Sequence, residues 1–328
     1  MAHALVLGAT GHIGSHIVRA LLAEGHTVRA GYRNERSLRV LDGLPVERVR
    51  VDLDNLLEFQ EALGGCDWVF HAAGYYPRSS EGRQEAIDRG IRSARRFFEE
   101  VARARLARVV FTSSAATIRA VPGRSANELD AETWPLSHRR HLYSTVKIAM
   151  EHEALRAASG GIPIVITNPS LCIGEFDARP FSGRAVLAFA KHRLPWYTDT
   201  WLNVVYTGDV GVGHVRAAER GRIGERYLLT GRNVMLREFG AWVAREAGFA
   251  PPRWRIPFPL AMVAASAAEL VSWFTRREPL FTRDEVRRAR SGYPLDGSKA
   301  VRELAMPRTP IPEAIRRAVG WFREVGIL

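Results

Sequence analysis

Short apolar runs of strand length alternate with longer amphipathic stretches through the first half of the chain. The runs are Ala4 to Leu7, Thr27 to Ala30, Val46 to Val51, Trp68 to His71, Arg108 to Thr112 and Pro163 to Thr167. Between them the spacing of apolar positions predicts helices over His12 to Ala23, Leu56 to Leu63, Arg83 to Ala104 and Leu142 to Ala158. Strand, helix and strand repeated with short connections predict an α/β protein built on a doubly wound parallel sheet, covered on both faces.

After Asn168 the rhythm breaks into loops rich in Pro, Gly and aromatic residues, with isolated helices such as Leu236 to Ala247 and Leu260 to Phe274. This pattern predicts a sheet domain over residues 1–168, with a return at about 203–218. A smaller lobe, mainly 169–328, would close over the carboxyl edge of the sheet, where open α/β sheets bind ligands.

Composition narrows the classes. The 328 residues are 46% hydrophobic and 25% charged, which excludes disordered and fibrous chains. Cys66 and Cys172 are the only cysteines, too few for a disulfide framework or a cysteine zinc site, and no metal is expected. The first residues run straight into a strand with no basic and apolar leader, so a cytoplasmic protein is expected. The net charge of +12 comes with scattered arginines rather than basic and aromatic residues interleaved in one motif, so a small-molecule ligand is expected and nucleic acid is not. Pro257 to Phe274 is the most apolar stretch. It is short for a span and interrupted by Ser266, Glu269 and Ser272, so it reads as a buried lobe helix or as a peripheral membrane contact.

Gly8-Ala9-Thr10-Gly11-His12-Ile13-Gly14 lies between the first strand and the first helix. Gly8 permits the tight turn, Gly11 lets a pyrophosphate approach the backbone and Gly14 lets helix and strand pack, so the sheet is expected to be of Rossmann type. Where an NAD site carries an acid after the second strand, this chain has Gly31, Tyr32 and Arg33, followed by Arg36. A guanidinium matches a 2′-phosphate in charge and fork geometry, so NADP(H) is favoured over NAD(H). Asp52 and Leu53 are placed against the adenine, and Ala72, Ala73 and Gly74 are small enough for the cofactor backbone to lie close.

Phe111-Thr112-Ser113-Ser114 ends the fifth strand, and Tyr143 and Lys147, four apart on a helix, share one face. An unperturbed phenol titrates near pKa ~10. A neighbouring ammonium favours the phenolate and brings the group toward neutral working pH. Ser114 would then hold the substrate oxygen as charge develops.

These motifs resemble the extended short-chain dehydrogenase/reductase family along essentially the whole chain. Within it the likeness is to dihydroflavonol 4-reductase-type, hopanoid-associated epimerase-type and 3β-hydroxysteroid dehydrogenase-like proteins. Matching stretches include Asn168-Pro169-Ser170, Gly183-Arg184 and Asp199 to Val205. The resemblance implies Ser114, Tyr143 and Lys147 as catalytic residues, Thr112 beside the cofactor, and Pro169, Ser170 and Ile173 flanking the nicotinamide. It also implies a homodimer through Arg83 to Ala104 and Leu142 to Ala158. Gly90 stands where relatives carry an asparagine, which puts an asparagine-anchored water relay in doubt.

A carbonyl reductase or alcohol dehydrogenase is the first reading. Tyr75, Tyr76, Asn168, Phe181, Trp196 and Trp201 would face a bulky hydrophobic substrate, of terpenoid or sterol kind. A nucleotide-sugar epimerase with retained NAD is the alternative. A 4,6-dehydratase fits less well, because Ala115 and Ala116 replace the acids that run elimination.

Overall fold

The computed structural model describes residues 1–77, 81–136, 141–178, 180, 182–191, 194–275, 282–290 and 292–328. Its strands are β1 (His3–Leu7), β2 (Thr27–Tyr32), β3 (Glu47–Arg50), β4 (Trp68–His71), β5 (Arg108–Thr112), β6 (Ile164–Pro169), β7 (Leu171–Ile173), β8 (Trp196–Tyr197), β9 (Trp201–Tyr206), β10 (Arg226–Leu229), β11 (Arg232–Met235) and β12 (Trp254–Arg255). Its helices are α1 (His12–Ala23), α2 (Leu56–Leu63), α3 (Arg83–Ala104), α4 (Leu142–Ser159), α5 (Gly183–Ala190), α6 (Thr207–Arg220), α7 (Leu236–Ala247), α8 (Phe258–Thr275), α9 (Arg283–Arg290), α10 (Ser298–Leu304) and α11 (Ile311–Glu324).

Seven strands form one parallel sheet in the order β10-β6-β5-β4-β1-β2-β3. The order reverses between β1 and β4, and a ligand of such a sheet sits outside the strand ends at that point. Both faces are covered, as the near-continuous apolar strands require. Ile17, Val18 and Leu21 of α1 pack with Val210 and Val215 of α6 on one side. Phe97 and Phe98 of α3 pack with Val146 and Met150 of α4 on the other.

At the sequence return expected near 203–218, β9 pairs with β11 and β7 in a separate three-stranded sheet, and α6 lies against α1. Around that small sheet, α5, α7 and α11 bury a third core that includes Val186, Phe239 and Phe322. β8 pairs with β12, and α8 and α9 pack on each other beyond them.

Candidate active site

The ends of β1 and β4 meet at the switch point. Gly8 has φ +76, and a Cβ there would lie 2.9 Å from the Ala73 backbone nitrogen; a Cβ at Gly14 would lie 2.1 Å from the Gly8 oxygen. The loop therefore holds its shape only with glycine at both positions. Gly11 caps α1 with no side-chain hydrogen bond, is exposed, and is followed by a first turn without acids. The leading amides of α1 are thus left for an anion, which is the arrangement a pyrophosphate needs. These residues fit a dinucleotide. Arg33 lies just past β2, exposed and without a protein partner among the described residues.

Tyr143, Lys147 and Glu151 follow each other at intervals of four on α4 and share one face. Lys147 is 2% exposed, with its Nζ 6.0 Å from the Tyr143 ring centre and 5.2 Å from that of Tyr76. Burial pushes its pKa down to about 8 while Glu151 pulls it up, so the ammonium persists at neutral pH. A Cβ at Gly74 would stand 2.7 Å from that Nζ. Gly74 thus lies against the end of the lysine side chain.

Glu151 is saturated from four sides. Its Oε2 accepts from Ser113 Oγ, from Thr117 Oγ1 at 3.1 Å and from Asn168 Nδ2 at 2.6 Å, and its Oε1 accepts from Arg226 Nε at 3.0 Å. Four donors offset the cost of burying the carboxylate. The 143, 147, 151 spacing is the signal by which sequence reasoning could have found Glu151.

His71, at the end of β4, is buried against Phe97 and Phe111, and neither ring nitrogen has a partner among the described residues. Burial, with the Lys147 ammonium adding to it, pushes its pKa down to about 4, so it stays neutral beside that charge. At Gly90 a Cβ would lie 2.8 Å from Val146 Cγ1. An asparagine side chain has no room there, which answers the doubt raised by the sequence.

Tyr76 lies stacked on Tyr143, with ring centres 5.6 Å apart and planes 19° apart. Repulsion between its phenolate charge and that of Tyr143 beside it, and then burial, hold the Tyr76 phenol well above the ordinary range, with a hydrogen bond to Tyr143 adding to them. Tyr76 therefore keeps its proton at neutral pH. Ser114 opens the short turn after β5, and its Oγ accepts from the Ala116 amide at 3.2 Å. Among the described residues nothing accepts its hydroxyl proton. Thr117 and Asn168 tie this turn to α4 through Glu151.

Other expected residues fall elsewhere. Asn168 is fully buried beneath the turn, hydrogen-bonded to Ser114, Thr117 and Glu151, and does not reach a substrate. The Thr112 hydroxyl points to the opposite face of the sheet and meets His214 at 3.0 Å. Ile173 packs in the core of the small sheet. The His12 imidazole binds Thr207 at 2.9 Å and is neutral, because burial pushes its pKa down to about 3. Its contribution to an anion site is therefore its position in the loop.

Asp52 follows β3 and accepts from the Asp54 amide at 3.1 Å, the local cap common at strand ends, while Leu53 leans on the α3 core. The Tyr75 hydroxyl is taken by Glu81. Pro169 ends β6, and Ser170 follows with a buried Oγ that has no partner among the described residues. Trp196 packs beneath α8, and Trp201 is exposed on β9. Phe181 and the side chain of Arg36 lie outside the described residues.

Residues 4–229 match the NAD dependent epimerase/dehydratase family. Sterol demethylase protein B of Methylococcus capsulatus is 34% identical over 329 residues, covering 99% of each chain. A putative dihydroflavonol 4-reductase of Synechocystis is 32% identical over 326 residues, covering 98% of this chain and 94% of the relative. Among solved structures, PA4631, described as a nucleoside-diphosphate-sugar epimerase from Pseudomonas aeruginosa, superposes with a TM-score of 0.82 at 28% identity over 99% and 98% of the two chains. The chain belongs to the NAD-dependent epimerase/dehydratase family, within the extended short-chain dehydrogenases/reductases. Its class of activity is that of an NAD(P)-dependent oxidoreductase or epimerase acting on a small molecule.

Proposed function

We propose that the protein is an NADP(H)-dependent oxidoreductase that interconverts a ketone or aldehyde and an alcohol on a bulky hydrophobic substrate, of terpenoid or sterol kind. The carrying observation is the half-buried Tyr143 beside the buried Lys147 ammonium, with Ser114 on a turn anchored to the same helix. A bound nicotinamide supplies or accepts hydride at the substrate carbon. Tyr143 gives its hydroxyl proton to the substrate oxygen in the reductive direction and takes it back in the oxidative one. Lys147 stabilises the phenolate left behind, and Glu151 holds the lysine's charge. Ser114, whose oxygen already accepts from a backbone amide, directs its proton to the substrate oxygen.

Arg33 supports the 2′-phosphate reading, because no acid stands at the end of β2 to hold a ribose hydroxyl. A hydrophobic substrate is supported by the relative named for sterol demethylation, matched along its whole length, and by the aromatic rings of Tyr76 and Trp201. In this reading residues 169–328 supply the substrate lobe. The enzyme works in the cytoplasm as a homodimer paired through α3 and α4.

The likeness to the sugar epimerase supports a second reading, in which NAD stays bound and the hydride returns to the other face of the substrate. The two readings separate when NADPH absorbance is followed against a panel of hydrophobic ketones and nucleotide sugars. Net NADPH consumption with a ketone is expected. Product from a nucleotide sugar without net consumption would replace the first reading with the second.

A further inference from the structure

α8 is mostly apolar, with Ser266, Glu269, Ser272 and Thr275 as its polar residues, and a helix of such composition usually buries its apolar surface. Here only one side is buried. Ala261 and Ala265 pack with Val286 of α9 and with Trp196. Leu260, Val263, Leu270, Val271 and Phe274 are each more than half exposed, and Ala267 continues their line. At 3.6 residues per turn these positions fall within about 100° of arc, so they form one stripe along the helix.

Glu269, the only charged residue of α8, lies off this stripe and pairs with Arg283 of α9, with its oxygens 2.7 Å from the Arg283 Nε and backbone amide. The stripe is therefore free of charge. Arg253 and Arg255 precede the helix, the latter paired with Asp199, and α9, whose Arg283, Arg287 and Arg290 stand beside Asp284 and Glu285 in sequence, packs on the side of α8 away from the stripe. Trp254, 64% exposed, stands between the first two. Among the described residues no helix is long and apolar enough to cross a membrane.

We propose that this face of α8 docks on an anionic lipid bilayer, with the helix lying in the plane of the headgroups and the exposed Arg253, ahead of the helix, meeting a lipid phosphate. An uncharged apolar stripe preceded by an exposed arginine and an exposed tryptophan, on a chain of net charge +12, is complementary to such a surface. Because Trp196 packs under the same helix, docking sets the substrate lobe against the bilayer. This deepens the reading of a lipophilic substrate and rests on it only for its purpose.

The test is co-sedimentation of the full chain with phosphatidylcholine vesicles and with vesicles containing phosphatidylglycerol, read without turnover. The protein should pellet with the anionic vesicles and be released as salt rises. Val263→Asp/Leu270→Asp should lower the bound fraction about tenfold or more, with NADPH binding unchanged. Leu260→Ser/Phe274→Ser, a milder pair, should reduce it less.

Three results would overturn the proposal: no pelleting with anionic vesicles, equal pelleting of the aspartate variant, or a dimer that the aspartate variant breaks without any lipid binding. Failure with ketones still reduced removes the docking surface alone. Docking without ketone reduction removes the oxidoreductase reading alone.

Discussion

Two helices of this protein break the usual division between a dry interior and a wet surface in opposite ways. The inner face of α4 carries Lys147 and Glu151 in nearly complete burial, whereas the outer face of α8 carries five large apolar residues in water. Buried charge and exposed hydrophobe are the informative departures in a folded chain. The first is compensated internally, since every oxygen of Glu151 has a donor and Lys147 has Glu151 four residues on. The second is left facing water. A compensated departure belongs to a device the protein completes by itself, and an uncompensated one to a device completed by something else.

The contrast can be broken first at Glu151. Glu151→Ala would leave Arg226 and three neutral donors without their acceptor, and we expect a loss of about 3–5 kcal/mol in unfolding free energy, measured by urea denaturation. An unchanged midpoint would mean that the network adds nothing. Val263→Asp/Leu270→Asp, on the exposed face, should shift stability by no more than about 0.5 kcal/mol.

Acid should attack the interior next. His12 and His16 are pushed down to about 3, and His71 and His214 to about 4, chiefly by burial. In the unfolded chain each titrates near about 6.5, so between the two values the unfolded state binds more protons. Their contribution is fully present above about pH 6.5 and is lost as pH falls. Each histidine adds up to about 1.4 kcal/mol per pH unit. Urea midpoints between pH 7 and pH 4 should fall steeply; a flat profile would mean the rings are protonated in the fold.

A smaller effect is expected at the cofactor edge. Arg33→Ala should raise the KM for NADPH about tenfold, as for one lost charge-assisted contact to phosphate, and leave that for NADH within about twofold. Equal losses for both would move the 2′-phosphate contact off Arg33.

Much of this was legible in the sequence. α1, α2 and α3 begin and end where apolar periodicity places them, because each lays one strong stripe on the sheet. β3 is shorter than its apolar run, and β6 runs on to Pro169, since strand ends depend on neighbours in the sheet. Tyr143, Lys147 and the glycine loop could be read locally because their chemistry follows from spacing within one element. Asn168 and Thr112 could not. Whether each side chain serves a ligand or a neighbour depends on Glu151 and His214, brought to it from distant parts of the chain.

The most direct test of the account is Tyr143→Phe, assayed for ketone reduction with NADPH affinity measured beside it. Loss of the proton donor should cut turnover by about 10²–10⁴-fold while the NADPH Kd stays within a few-fold. Turnover within about twofold of the parent, at unchanged affinity, would show that the proton comes from elsewhere.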